Sequence, residues 1–404
     1  MGIRLFTLVA VACAGATATP AAAAPISSAA QLFTCCTPEA LQERYLSEAE
    51  ASGAEYVRVD VELHGIFGTE GSPDWSHLDR LIELADSHHL ELLGIIRGTP
   101  SWLSGCRSRG PKASLCAPRD PARWGELAGE VAEHARGSID HWEILNEPDA
   151  HWAFTGSAED YARMLSAAYD AIKAKAPEAQ VVFGGVERPR EHDWVERVFA
   201  TPGADAARKF DIAAVHLRLR LRNQLPELAD WLERWRALLA RHGFEGPVWV
   251  TEHGYPADPA FQWDPAYRGT DGATGEQAQA ALLRDSIPLL AKAGADQVFV
   301  TLRDNLYGEF LSEGVEHIDE TQPGYPVTRR PAFDAVRDLA IRWDPVAFAR
   351  SGARGEAREA AELTRLAQAS SAAGKPLAAA VQAGAAEGHT EIALGLVREA
   401  ASEP

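Results

Sequence analysis

The chain has 404 residues, with 58 acidic against 39 basic side chains and a formal net charge of −19. So acidic a surface repels nucleic acid and anionic membranes and argues against both as partners. A hydrophobic share of 46% is that of a globular protein with a substantial core, and the length allows one large domain plus an appendage.

In chain order, the sequence opens MGIRLFTLVAVACAGATATPAAAAP. Arg4, the apolar run Leu5 to Ala14 and the small residues ending Ala22-Ala23-Ala24 read as a secretory leader over 1–24, cleaved near Ala24. The run is too short for a transmembrane helix, which needs about 20 apolar residues. Cys13 raises a lipoprotein alternative, disfavoured by Ala10 at the usual Leu position. A secreted protein with no membrane contact after cleavage is expected. Cleavage leaves Cys35, Cys36, Cys106 and Cys116. In an exported protein Cys106 and Cys116 make a natural disulfide, with free buried thiols as the alternative. The pairing of the adjacent Cys35 and Cys36 stays open. No cysteine has zinc-site spacing.

Beyond the leader, short apolar strands alternate with amphipathic helices. Strands are predicted over 55–63, 90–98, 139–146, 180–185, 210–217, 247–252 and 297–302. Helices are predicted near 38–53, 75–88, 121–136, 159–176, 191–200, 226–242, 275–293 and 329–343. Ser157-Ala-Glu-Asp160 and Thr274-Gly-Glu-Gln277 fit capping boxes, in which side chains satisfy the free N–H groups of a first helical turn. Trp75, Leu78, Leu81, Ile82 and Ala85 share one helical face. Such alternation implies parallel strands joined by crossover helices. One more strand, placed within 26–36, gives eight βα units. The expected fold is α/β, a (β/α)8 TIM barrel over 25–346. An open doubly wound sheet is the alternative, and no G-x-G-x-x-G turn follows a strand to favour it. An Ala- and Glu-rich stretch over 347–404 reads as a helical C-terminal extension.

The chemistry concentrates at two strand ends. In WEILNEPD, Glu143 and Glu147 share a parity, and in VWVTE so do Val248, Val250 and Glu252. A barrel strand points alternate residues inward, so Glu147 and Glu252 are expected at the inner rim, at the C-terminal ends of the fourth and seventh strands. Across an eight-stranded mouth those positions face each other. Two facing carboxylates are what glycoside cleavage needs: one protonates the departing oxygen, and the other attacks the anomeric carbon or activates water. A lone Glu at a strand end is more often a solvated rim charge; the matched pair on one barrel changes that balance.

WEILNEP followed by VWVTEHGYP resembles the retaining clan A glycoside hydrolases, with further similarity to family 39-like and cellulase-like members over most of 50–343. RVDVELHGIFG, DWSHLDRLIELADSHHLELLGIIRGTPSWL, CAPRDPARWGELAGEVAEHA, AEDYARMLSAAYDAIKAKAPEAQVVFGG and RRPAFDAVRDL carry it. The resemblance implies Glu147 as acid/base, Glu252 as nucleophile and Asn146 as the partner of the sugar 2-hydroxyl. It also implies Arg58 beneath Glu252, keeping it ionised. An internal salt bridge from Arg58 to Asp60 is the plain alternative. His216 ends the sixth strand where the clan often has His before Tyr; a packed rim histidine is the alternative. Glu147 must hold a proton while Glu252 is charged, and like charge opposes a second ionisation.

Three departures from the pattern touch the sugar platform. Leu145 stands where relatives have Trp, Arg218 replaces Tyr two beyond His216, and Leu302-Arg303-Asp304 replaces Trp after the eighth strand. A catalytically impaired carbohydrate-binding barrel is therefore the second reading. Trp102 and Trp152 are candidates for sugar stacking or for plain packing. Arg218, Arg220 and Arg222, with Arg97 and Arg303, could form a positive rim. The expected partner is an oligo- or polysaccharide, with an anionic sugar such as a uronate held by guanidinium forks as one candidate. Pairing of these arginines with the protein's own carboxylates is the simpler account. With no H-E-x-x-H, Walker loop or G-x-S-x-G elbow, no metal or cofactor is expected.

Overall fold

The computed structural model describes residues 26–33, 37–106, 111–187, 193–219, 225–259, 275–304 and 312–343. The expected leader, Cys35, Cys36, Thr274, Arg220, Arg222 and the extension over 347–404 lie outside the described residues.

Eight parallel strands close into a barrel. They are β1 (Ile26–Phe33), β2 (Tyr56–Glu62), β3 (Glu91–Arg97) and β4 (His141–Ile144), then β5 (Gln180–Val186), β6 (Ile212–His216), β7 (Val248–His253) and β8 (Gln297–Thr301). Each pairs with the next, and β1 pairs back onto β8 from Ile26↔Val298 to Ala29↔Thr301. Helices fill the crossovers: α1 (Glu39–Ala51), α2 (Leu63–Ile66), α3 (Ser76–Ser87), α4 (Pro121–His134) and α5 (Ala158–Lys175), then α6 (Asp193–Phe199), α7 (Leu225–Arg241), α8 (Glu276–Lys292) and α9 (Pro331–Trp343). The TIM barrel expectation holds, including the first strand.

Local signals explain several boundaries. Ser157 and Asp160 form a complete capping box at α5. Asp120 caps α4 by accepting from the Ala122 and Arg123 amides, with Pro121 at the first helical position. At α8 the N-cap is Gly275, and Thr274 of the expected box lies outside the described residues. The face predicted for α3 packs as expected, with Leu78, Leu81 and Ala85 buried and Trp75 and Ile82 against the same core. A short hairpin, β9 (Glu316–Ile318) and β10 (Val327–Arg329), follows β8 and was not foreseen. No helix among the described residues is long and apolar enough to cross a membrane. Cys106 and Cys116 are disulfide-bonded, as expected.

Two apolar layers hold the barrel. The outer one lies between strands and helices and includes the fully buried Trp124, Trp142, Tyr161, Phe183 and Trp235. The inner one is a separate cluster of Leu93, Val182, Ile212, Ala214, Trp249 and Phe299, with Tyr56 against it. Tyr56, Trp249 and Phe299 meet at ring centroid distances of 5.4–6.3 Å. These residues lie near strand starts, so they floor the barrel and leave the opposite end for polar groups.

The inner cluster corrects the parity expected for β7. Trp249 faces inward, whereas Val248 and Val250 pack in the outer layer. Glu252 still reaches the mouth because β7 carries one extra residue. Val215 pairs with Val250 but His216 pairs with Glu252, and Val250 pairs with Val298 but His253 with Val300. A bulge of this kind re-aims a side chain at a barrel rim.

Candidate active site

Glu147 also arrives by a route that strand parity does not describe. β4 ends at Ile144, and Leu145 and Glu147 then take left-handed backbone conformations, with φ of 64° and 46°. Non-glycine residues rarely adopt that region, at a cost of about 1–3 kcal/mol each. Neighbouring strands hold the segment: the Leu145 amide donates to the Ile96 carbonyl and the Glu147 amide to the Gly185 carbonyl, both at 3.0 Å. The Asn-Glu-Pro corner is therefore a strained turn pinned on both sides.

Inside the mouth the two carboxylates meet. One oxygen of Glu147, one of Glu252 and a ring nitrogen of His216 all lie within 4.8 Å of one another, and all three residues are buried. His216 Nδ1 is 3.0 Å from Glu147 Oε1, and Nε2 is 3.6 Å from Glu252 Oε1. Gly185 makes this approach possible, since a Cβ there would stand 2.3 Å from His216 Nε2. Trp152, 55% exposed at the rim, donates from Nε1 to Glu147 Oε2 at 2.9 Å.

Arg58 organises the layer beneath. Its Nη1 donates to Glu252 Oε1 at 2.7 Å and its Nη2 to Asn146 Oδ1 at 2.7 Å. Nε and Nη2 also grip Glu143 at 2.7 and 2.9 Å. The suggested Arg58–Asp60 bridge gives way to this set, and Asp60 pairs with Arg97 at 2.9 Å. Glu143, fully buried, also accepts from the Gly185 amide at 2.8 Å.

Arg218 enters from above. Its Nη2 pairs with Glu252 Oε2, its Nη1 lies 3.5 Å from Glu147 Oε1, and its Nε lies 3.3 Å from Glu313 Oε2. Burial alone would raise the Glu252 carboxyl. The charges of Arg218, His216 and Arg58, with the Arg58 hydrogen bond, outweigh burial and hold it down to about 2. Glu252 is thus an anion across the ordinary pH range. His253, next in sequence, faces away; burial pushes it down to about 4, and it lies 2.6 Å from the Leu217 carbonyl and 2.7 Å from the Ser286 hydroxyl.

Glu147, His216 and Glu252 have the spacing of metal ligands. Two guanidinium groups already contact Glu252, so a dication would enter against two positive charges. The donor set fits a charge-neutralised carboxylate pair better than a metal centre.

Of the residues singled out in the sequence, Glu147, Glu252, Asn146, Arg58, His216, Arg218 and Trp152 share this mouth. Trp102 is half-buried against the outer core, with Nε1 donating to the Phe67 carbonyl at 2.7 Å, so it serves packing. Arg303 turns away from the expected rim and pairs with Glu320 and the Tyr45 hydroxyl. Glu313 was missed. It lies in a Ser-Glu-Gly stretch that reads as an ordinary turn, and only the fold brings it to Arg218.

No protein-family model matches the chain, and no curated protein matches its sequence. Solved structures do match. A family 39 glycoside hydrolase from the gut symbiont Bacteroides cellulosilyticus WH2 superposes with a TM-score of 0.60 at 12% identity, over 79% of this chain and 63% of that one. The exo-beta-1,4-mannosidase Op5Man5 from Opitutaceae bacterium strain TAV5 gives 0.56 at 17% identity, over 80% and 60%. GH5_18 from Streptomyces cattleya, in complex with GlcNAc, gives 0.55 at 16% identity, over 80% and 81%. The fold is that of glycoside hydrolase barrels. At these identities the likeness is one of fold, and the chain spans less than two thirds of the length of the first two.

Proposed function

We propose that this chain is a glycoside hydrolase that cleaves O-glycosidic bonds with retention, using Glu147 as acid/base and Glu252 as nucleophile. The observation that carries the reading is the pair of buried carboxylates facing each other across one barrel mouth, with one oxygen of each within 4.8 Å of the other. Retention uses carboxyl groups about 5–5.5 Å apart, whereas inversion needs about 6.5–9.5 Å to admit a water. The depressed Glu252 carboxyl supports the same assignment, because a nucleophile must be ionised.

In the first step Glu147 gives its proton to the glycosidic oxygen while Glu252 attacks the anomeric carbon. The bond to the departing oxygen breaks, and a glycosyl ester forms on Glu252. In the second, Glu147 takes a proton from water as that water attacks the same carbon and Glu252 leaves as carboxylate. Asn146, held by Arg58, is assigned the sugar 2-hydroxyl, and Trp152 offers an exposed ring for a sugar face. The substrate class is an oligo- or polysaccharide. Should the sugar be anionic, Arg218 is the described arginine at the mouth to meet it, since Arg97 and Arg303 pair with Asp60 and Glu320. Export from the cell is part of the proposal, supported by the leader-like N-terminus and the Cys106–Cys116 disulfide.

The second reading, a sugar-binding barrel without turnover, is favoured by one observation: Arg218 contacts both glutamates at once. A panel of nitrophenyl glycosides separates the two. Turnover that falls at least about 100-fold in Glu147→Gln and Glu252→Gln supports the enzyme. Azide should rescue Glu252→Gly and yield a glycosyl azide of inverted configuration. Wild-type rates in both Gln variants would sink the assignment, and no turnover of any glycoside would leave the binding barrel standing.

A further inference from the structure

We infer that the Arg218 guanidinium rests in the gap that the scissile bond must occupy, and that Glu313 is the positioning residue that receives it when a sugar enters. The inference rests on the glycosidase reading and adds a residue and a movement to it.

Geometry carries the first half. A glycosidic oxygen must reach Glu147 while the anomeric carbon reaches Glu252. Nη1 and Nη2 of one planar guanidinium already touch an oxygen of each. Sugar and guanidinium cannot share that space, so Arg218 has to leave for chemistry to occur.

A seat for the displaced cation is built into the segment between β8 and β9. Glu313 is 1% exposed and its Oε2 already lies 3.3 Å from Arg218 Nε. Thr301 Oγ1 donates to the same oxygen at 3.4 Å. Gly254 makes room, since a Cβ there would come within 2.5 Å of the Glu313 side chain. The Glu313 backbone is fixed too: buried Gln279 donates from Nε2 to the carbonyls of Tyr255, Glu313 and Gly314 at 2.8, 3.0 and 3.1 Å. A held carboxylate beside a long, multi-rotamer side chain means the arginine moves and the glutamate stays.

Charge gives the direction. Burial, with the charges of Glu252 and Glu147, holds the Glu313 carboxyl above its ordinary value against the pull of Arg218. In the resting state the anion at Glu252 therefore keeps the guanidinium until an entering sugar displaces it toward Glu313. Forming the glycosyl ester removes the Glu252 charge. Glu313 then ionises more readily and takes the guanidinium that Glu252 no longer attracts, which keeps the gap open for the attacking water.

Two experiments test this. Glu252→Gln removes the charge that the ester would remove and needs no substrate. Its crystal structure should show Arg218 Nη atoms within hydrogen-bonding distance of Glu313 and clear of residue 252; a guanidinium still lodged between residues 147 and 252 overturns the inference. Kinetics with nitrophenyl glycosides supply the second readout. Glu313→Gln should raise KM about ten-fold with a smaller change in kcat, and adding Arg218→Gln should remove most of that rise. An equal rise in both Arg218 backgrounds would mean that Glu313 acts through the fold or on the sugar, and would overturn it as well. If the wild-type protein hydrolyses no glycoside, the functional reading fails, and the crystal structure still decides whether Arg218 moves.

Discussion

Arg58 binds Glu252 and Glu143 with one guanidinium, at 2.7 Å to the first and at 2.7 and 2.9 Å to the second. All three side chains are at most 5% exposed. Removing one partner from such a set strands buried charge, at a cost of about 3–5 kcal/mol. Arg58→Met should lose about that much in urea denaturation at pH 7. The acid side should change too. The folded Glu252 carboxyl lies near 2 against an ordinary value of 4.5, so its contribution to stability is present above 4.5 and is lost as pH falls toward 2. In Arg58→Met the loss should be complete at a higher pH, and the acid limb of any pH–rate profile should move the same way. An unchanged acid limb would mean that Arg218 and His216 suffice.

Trp152 is the large apolar side chain found exposed among the described residues, and its N–H reaches Glu147 at 2.9 Å. Two variants separate ring from N–H. Trp152→Phe keeps an aromatic face and removes a hydrogen bond to an ionisable group, worth about 1.5–3 kcal/mol. It should lower kcat by about ten-fold or more while leaving KM nearly unchanged. Trp152→Ala should raise KM as well. The two variants should unfold within about 0.5 kcal/mol of each other, since both lose the hydrogen bond and the ring itself is exposed. Equal kinetics for Phe and Ala would remove the ring from sugar binding.

Much of this site was legible because secondary-structure periodicity and chain order are local. Strand and helix alternation gave the barrel, and two glutamates three βα units apart met where an eight-membered ring puts them. The reasons were less legible than the result. Strand parity predicted inward Val248 and Val250, yet these face the helices, and a one-residue bulge turns Glu252 in. Glu147 depends on two left-handed residues, which no hydrophobic pattern marks. Arg303 and Glu313 show the deeper limit. Both lie near the eighth strand's end, and which of them meets the glutamates depends on long-range partners, Glu320 and Tyr45 for one and Arg218 for the other.

The Cys106–Cys116 disulfide closes a loop of sequence separation 10 beside the end of β3. Cross-linking so short a loop contributes about 2–3 kcal/mol by restricting the unfolded chain. The loop also docks on β3's continuation: the Thr99 amide donates to the Ser114 carbonyl at 2.9 Å, and its hydroxyl to the Cys116 carbonyl at 2.7 Å. The double variant Cys106→Ser/Cys116→Ser should lose about 2–3 kcal/mol in urea denaturation. Wild type measured in reducing buffer should match it; a wild-type midpoint insensitive to reductant would show that the bond is not formed in solution.

Glu316 gives an alkaline counterpart to the acid prediction. It sits on β9 with no exposed surface, and neither carboxyl oxygen accepts a hydrogen bond from the described residues. Burial, then the charge of nearby Glu48, pushes its carboxyl well above the ordinary range, against the opposing charges of Arg329 and Arg44. Arg329 Nε is bonded to Glu48 at 2.7 Å and Arg44 Nη1 lies 3.9 Å from Glu48 Oε1, so both cations are spent on the neighbour. The folded protein therefore keeps Glu316 protonated at pH values where the unfolded chain has released that proton. Stability falls as pH rises from the ordinary carboxylate value through neutrality, by at most about 1.4 kcal/mol per pH unit for one proton. Glu316→Gln preserves the neutral shape and removes the titration. Urea midpoints at pH 5 and pH 8.5 check it: the two proteins should be alike at pH 5, and the variant should be the more stable at pH 8.5. The same alkaline loss in both would place the proton elsewhere and leave the β9–β10 hairpin held by Arg330, whose guanidinium binds Asp304 twice at 2.7 Å.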